Sequence, residues 1–163
     1  MLFNYGKFFG LRGPAILLAL LVAMAAPALA DPLPEAFLGK FRGAVTGGAG
    51  AAEGEFTLVT KAQRGGFLMT WPPNRSAGFE PSDSKNIFRA TLRGRLIEGA
   101  PAFWARLEEG RLTVYSMQID AHGGYEIYTY IFSPENNGLD MVVRHLRSGS
   151  QPLESTARLT RYE

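Results

Sequence analysis

Turn-forming residues recur at short intervals in this chain, and the segments between them alternate apolar with polar. Arg64-Gly65-Gly66, Glu109-Gly110, His122-Gly123-Gly124 and Asn136-Asn137-Gly138 put residues that tolerate positive φ where hairpins need them. A link that short can join only antiparallel neighbours. The alternation predicts nine strands: Phe37–Thr46, Glu55–Ala62, Gly66–Trp71, Ile87–Arg93, Ala102–Glu108, Arg111–Ile119, Tyr125–Ser133, Leu139–Leu146 and Glu154–Tyr162. No stretch longer than about ten residues carries a helical period. The chain is therefore expected to be all-β, a single antiparallel up-and-down barrel of eight to nine strands, with a two-sheet sandwich as the alternative.

Alternation also sorts the faces. Phe56 and Leu58 oppose Glu55, Thr57 and Lys61, and Phe88, Ala90 and Leu92 oppose Arg89, Thr91 and Arg93, so these strands have one wet side. The sixth and seventh expected strands differ. Leu112 and Val114 lie opposite Tyr115, Met117 and Ile119, while Tyr125, Ile127 and Ile131 lie opposite Tyr128, Tyr130 and Phe132. Both faces are largely apolar there, which calls for a cover on the outer one. Two loops break the meander: Gly47 to Gly54, rich in small residues, and Pro72 to Asn86, long enough to serve as a lid or binding loop and carrying Phe79.

The first thirty residues read as an export signal, with Lys7 and Arg12, an apolar run from Ala15 to Ala26, and Ala28-Leu29-Ala30 before Asp31. This divides the chain into a signal peptide, residues 1–30, and a β-barrel domain, residues 31–163. The expected location is the periplasm, with no transmembrane segment after cleavage. Of 17 basic residues, Lys7 and Arg12 leave with the signal, so the mature domain balances 15 basic against 15 acidic residues and offers no electrostatic case for nucleic acid. Without cysteine the domain has no disulfides, and its stability must come from burying its aromatic side chains.

Gly39-Lys40-Phe41-Arg42-Gly43 resembles the opening glycine-x-aromatic signature of lipocalins and their calycin relatives, with phenylalanine in the tryptophan position. Tyr128-Thr129-Tyr130 is loosely similar to the second lipocalin signature. The resemblance implies a small barrel holding an apolar ligand in a closed-ended cup, with a late-strand arginine, Arg144 or Arg158, packed across Phe41. It transfers no ligand residue.

No catalytic, metal or cofactor constellation emerges from the residues. His122 and His145 are the only histidines, Ser116 and Ser133 have no elbow context, and Glu108-Glu109 point different ways from one turn. Arg89, Arg93, Arg95, Arg106 and Arg111 make either an anion-binding face or a solvated one balanced by Glu98, Glu108 and Glu109. The leading expectation is a non-enzymatic barrel that holds a small apolar or amphipathic molecule beneath the Pro72–Asn86 loop. Phe41, Trp71, Phe79, Tyr115, Tyr128 and Tyr130 are the expected ligand wall. The alternative is a packed barrel whose two-faced strands form a homodimer or dock an envelope protein, and the third reading is an enzyme without a recognisable motif.

Overall fold

The computed structural model describes residues 32–47, 54–63, 65–91 and 94–163. The expected signal peptide, most of the Gly47–Gly54 loop, and Leu92 and Arg93 fall outside them. Ten strands follow one another: β1 (Gly39–Gly47), β2 (Gly54–Gln63), β3 (Gly66–Trp71), β4 (Arg75–Pro81), β5 (Ile87–Ala90), β6 (Ala102–Glu108), β7 (Arg111–Ile119), β8 (Tyr125–Glu135), β9 (Gly138–Arg147) and β10 (Leu153–Arg161). Each pairs antiparallel with its successor, and β10 returns to β1 with Phe41 opposite Arg161 and Val45 opposite Ala157. The sheet is a closed barrel, so the sandwich alternative does not hold.

Two expectations are corrected. The count is ten, because the expected loop Pro72–Asn86 contains β4, joined to β3 by the turn Pro72-Pro73-Asn74 with Trp71 opposite Arg75. Prolines bracketing a Ser-Ala-Gly stretch hide this strand from propensity, yet Ala77 and Phe79 still alternate onto the buried face. Phe37 does not open β1; it ends a 3₁₀ turn, Glu35–Phe37, that tucks it into the core.

Barrel diameter grows with strand number, so ten strands enclose more space than aliphatic side chains alone fill easily. Phenylalanine fills it here. Phe37, Phe41, Phe67, Phe79, Phe88 and Phe132 are all fully buried, with Leu58, Leu112, Leu139, Leu159, Met69 and Met141 between them. Phe67 stacks on Phe79 with centroids 4.7 Å apart and meets Phe88 edge-on at 5.3 Å. Each such ring is worth roughly 1.5–3 kcal/mol of burial, which is how a chain without disulfides holds a barrel of this width.

The end of the barrel where β1 begins is plugged. The Arg161 guanidinium lies 4.6 Å over the Phe41 ring and donates to the carbonyls of Ala36 at 3.1 Å and of Leu38. It thereby ties the last strand to the 3₁₀ turn before the first. The two arginines named for a place over Phe41, Arg144 and Arg158, do not lie there. Arg144 pairs outward with Glu154 at 2.9 Å, and Arg158 faces Asp140 at 3.5 Å.

Glycine lets the seam close tightly. A Cβ on Gly43 would stand 2.1 Å from the Arg158 carbonyl oxygen, closer than atoms can approach, and backbone cannot swing aside as a side-chain tip does. Gly43→Ala is therefore expected to cost about 1–3 kcal/mol in urea unfolding. Gly110→Asn, at an open turn position with φ +72°, should change stability by about 0.5 kcal/mol or less.

Candidate functional site

Along β8 the inward face reads Glu126, Tyr128, Tyr130 and Phe132, a period-two series that passes from the barrel's open end into its core. The rings form a ladder. Phe132 and Tyr130 lie 6.5 Å apart, Tyr130 and Tyr128 6.1 Å, and all are nearly parallel. His145, directly across on β9, stacks flat on Tyr128 at 4.2 Å.

β4 contributes a cation to this wall. Arg75 follows the Pro72-Pro73-Asn74 turn, so its side chain enters the open end, where Nη1 donates to Tyr130 Oη at 2.9 Å and Cζ lies 4.5 Å over the Tyr128 ring. The Glu126 carboxylate accepts from Tyr128 Oη at 3.1 Å and lies 2.8 Å from His145 Nε2. One apolar-walled, polar-tipped cluster thus joins β4, β8 and β9. Trp71, opposite Arg75 on β3, flanks it, edge-on to Phe103 at 5.6 Å and to Tyr130 at 5.9 Å. The buried Trp71 Nε1 lacks a well-formed hydrogen bond and offers only its partial positive charge toward the Tyr130 oxygen.

Beside the cluster is a cavity of about 310 Å³, lined chiefly by Val45, Phe56, Pro72, Arg75, Tyr128, Tyr130 and Val143. Beneath it the inward positions are filled by fully buried Phe132, Leu58, Met69 and Met141. Two of the six residues expected to hold a ligand, Tyr128 and Tyr130, line this cavity. Trp71 does not line it but packs edge-on against Tyr130, which does. Phe41 lies at the plugged end under Arg161, and Phe79 is core packing against Phe67, so neither reaches it. Tyr115 is on the outer surface, stacked on Trp104 at 5.0 Å, because β7 turns Leu112, Val114 and Ser116 inward and Tyr115 outward. The expected lid is absent, since β4 occupies its sequence. Arg75, Phe56, Val45 and Val143 were missed. For Arg75 the signal was the Arg75-x-Ala77-x-Phe79 alternation, which continues the inward face up to the rim; the other three carry none that sets them apart from core residues.

The other polar features are structural. Arg89 pairs with Glu80 at 2.9 Å, Arg95 with Glu98 at 2.5 Å, Arg106 with Glu108 at 2.5 Å and Arg111 with Glu109 at 2.8 Å. The arginine-rich stretch is accordingly a solvated, charge-balanced surface, with Arg93 outside the described residues. In the β7–β8 turn, the backbone N–H groups of His122 and Gly124 donate to Asp120 Oδ1, which holds that carboxyl below its ordinary range. His122 is a turn residue. Among the described residues no helix is long and apolar enough to cross a membrane. Set against known proteins, the chain matches no protein-family model, and no curated protein or solved structure is significantly similar to it.

Burial raises the Tyr130 phenol above its ordinary value, a rise only partly offset by the Arg75 charge and the Trp71 indole, and burial raises Tyr128 as well. A folded pKa above the unfolded one makes a contribution to stability that is whole below about pH 10 and lost as pH climbs through the folded value. Ultraviolet titration should find phenols ionising later than free tyrosine. Tyr130→Phe should remove one of them and flatten the alkaline fall in stability; an unchanged titration curve would contradict the burial described here.

Proposed function

We propose that this chain is a non-enzymatic binding barrel of the periplasm that holds a small apolar or amphipathic molecule at its open end. The observation that carries the reading is the cavity of about 310 Å³ between Tyr128, Tyr130, Phe56, Val45 and Val143. Its volume falls at the lower end of the range for small-molecule sites, and its make-up of apolar walls with a few convergent polar tips is theirs as well. The export-signal pattern of residues 1–30 supports the location. The resemblance of Gly39-Lys40-Phe41-Arg42-Gly43 to the lipocalin opening belongs to the same proposal.

Filling the cavity tests the reading. Val45→Trp places an indole in the space while leaving the plugged end untouched. Calorimetric titration with benzyl alcohol, an uncharged probe of suitable size, should show millimolar or tighter binding to the parent protein and none to Val45→Trp. Binding that survives the substitution rules the reading out.

The outer face of β6–β9 supports a second reading, a homodimer or docking module. Trp104 and Tyr115 stack there beside Met117, Ile127 and Leu146, all only half-buried. Apolar area of this kind on a sheet exterior is typical of a covered surface. Light scattering should then give a dimer mass that Met117→Lys reduces to the monomer. A parent protein that is monomeric at every concentration counts against a second copy on this face.

A further inference from the structure

Among the described residues, Arg75 stands in the cavity wall without a counter-ion. Its partners are a phenol oxygen and an aromatic face, and among the described residues no carboxylate lies within salt-bridge reach of it. Glu55 sits on the same rim without pairing to it, and the Glu126 oxygen is taken by Tyr128 and His145. Tyr130 is 5 % exposed, and its hydroxyl accepts from Arg75 while its own O–H has no acceptor among the described residues. Both groups therefore have donors to spare where the wall meets the cavity, and a half-buried cation and a buried hydroxyl in that state each carry an unmet desolvation cost.

The space around these donors is short. Deeper along the inward face lie Phe132, Leu58, Met69 and Met141, each fully buried, so side chains occupy the positions a long chain would need to enter. We propose that the open end is selective for a compact organic anion: an acidic head receives the free N–H groups of Arg75 and the O–H of Tyr130, and a short apolar body lies against Phe56, Val45 and Val143. This rests on the reading of the mouth as a small-molecule site and names what that site prefers. The physics favours it twice. A charge-assisted guanidinium–anion pair is roughly twice as strong as a neutral hydrogen bond. The Tyr130 oxygen and the Tyr128 ring already hold the guanidinium, so little side-chain freedom remains to be lost on binding.

Calorimetric titration with benzoate, benzyl alcohol, laurate and inorganic phosphate separates the possibilities. Benzoate is expected to bind at least about tenfold more tightly than benzyl alcohol or inorganic phosphate, and laurate no more tightly than benzoate. Arg75→Met, which keeps the apolar stem, should weaken benzoate by about tenfold or more, a larger factor than it weakens benzyl alcohol; Tyr130→Phe should weaken benzoate by a smaller factor. The comparison of probes on the parent protein stands even if a variant folds poorly. Equal affinity for benzoate and benzyl alcohol, an Arg75→Met variant that keeps its benzoate affinity, phosphate as good as benzoate, or laurate much tighter than benzoate each overturns the anion preference while the binding reading survives. Silence from all four probes overturns the binding reading itself.

Discussion

The ladder between β1 and β10 is the constraint on which the rest depends. Without it the meander is a ten-stranded ribbon with two open edges, and nothing distinguishes one face from the other as an interior. Once Phe41 sits opposite Arg161 and Val45 opposite Ala157, side-chain period two assigns every residue of every strand to the inside or the outside. The guanidinium of Arg161 reinforces that seam from within the protein, gripping both an aromatic ring at the start of the barrel and the carbonyls that precede it. Gly43 lets the seam close by leaving room for the backbone opposite.

The two ends then specialise. At the plugged end phenylalanines and the Arg161 guanidinium fill the inward positions apart from the buried Thr60. At the open end the same alternation continues, but the inward residues turn amphipathic: Arg75, Glu126, Tyr128, Tyr130 and His145 take the places that phenylalanine, leucine and methionine occupy lower down. The chemistry of the mouth is thus the last layer of the core with polar tips added.

Much of the architecture was legible because hairpin turns and alternation are local. The strands Gly66–Trp71, Ala102–Glu108 and Arg111–Ile119 were read to the residue from those signals alone. β4 was not, because Pro72, Pro73 and Pro81 and the small residues between them are what a loop contains; its strand character comes from pairing with Phe67–Trp71 on one side and Phe88–Ala90 on the other, a tertiary fact. The site suffered in proportion. Tyr128 and Tyr130 stood out as aromatics on an alternating strand, whereas Arg75 was hidden inside the misread loop and Val45, Phe56 and Val143 look like any core residue. Phe41 and Phe79 were drawn into the expected ligand wall because sequence shows that an aromatic points inward but not how far along the barrel axis it lies. Tyr115 went astray for the opposite reason: its strand is apolar on both sides, so composition did not reveal which side was the interior.

A filled lower barrel has a consequence for anything held above it. The buried Phe132 and its neighbours form a floor under the mouth. Under the proposed reading, whatever part of a guest exceeds the depth above that floor would stay in water, on display to a second molecule without the barrel having to open.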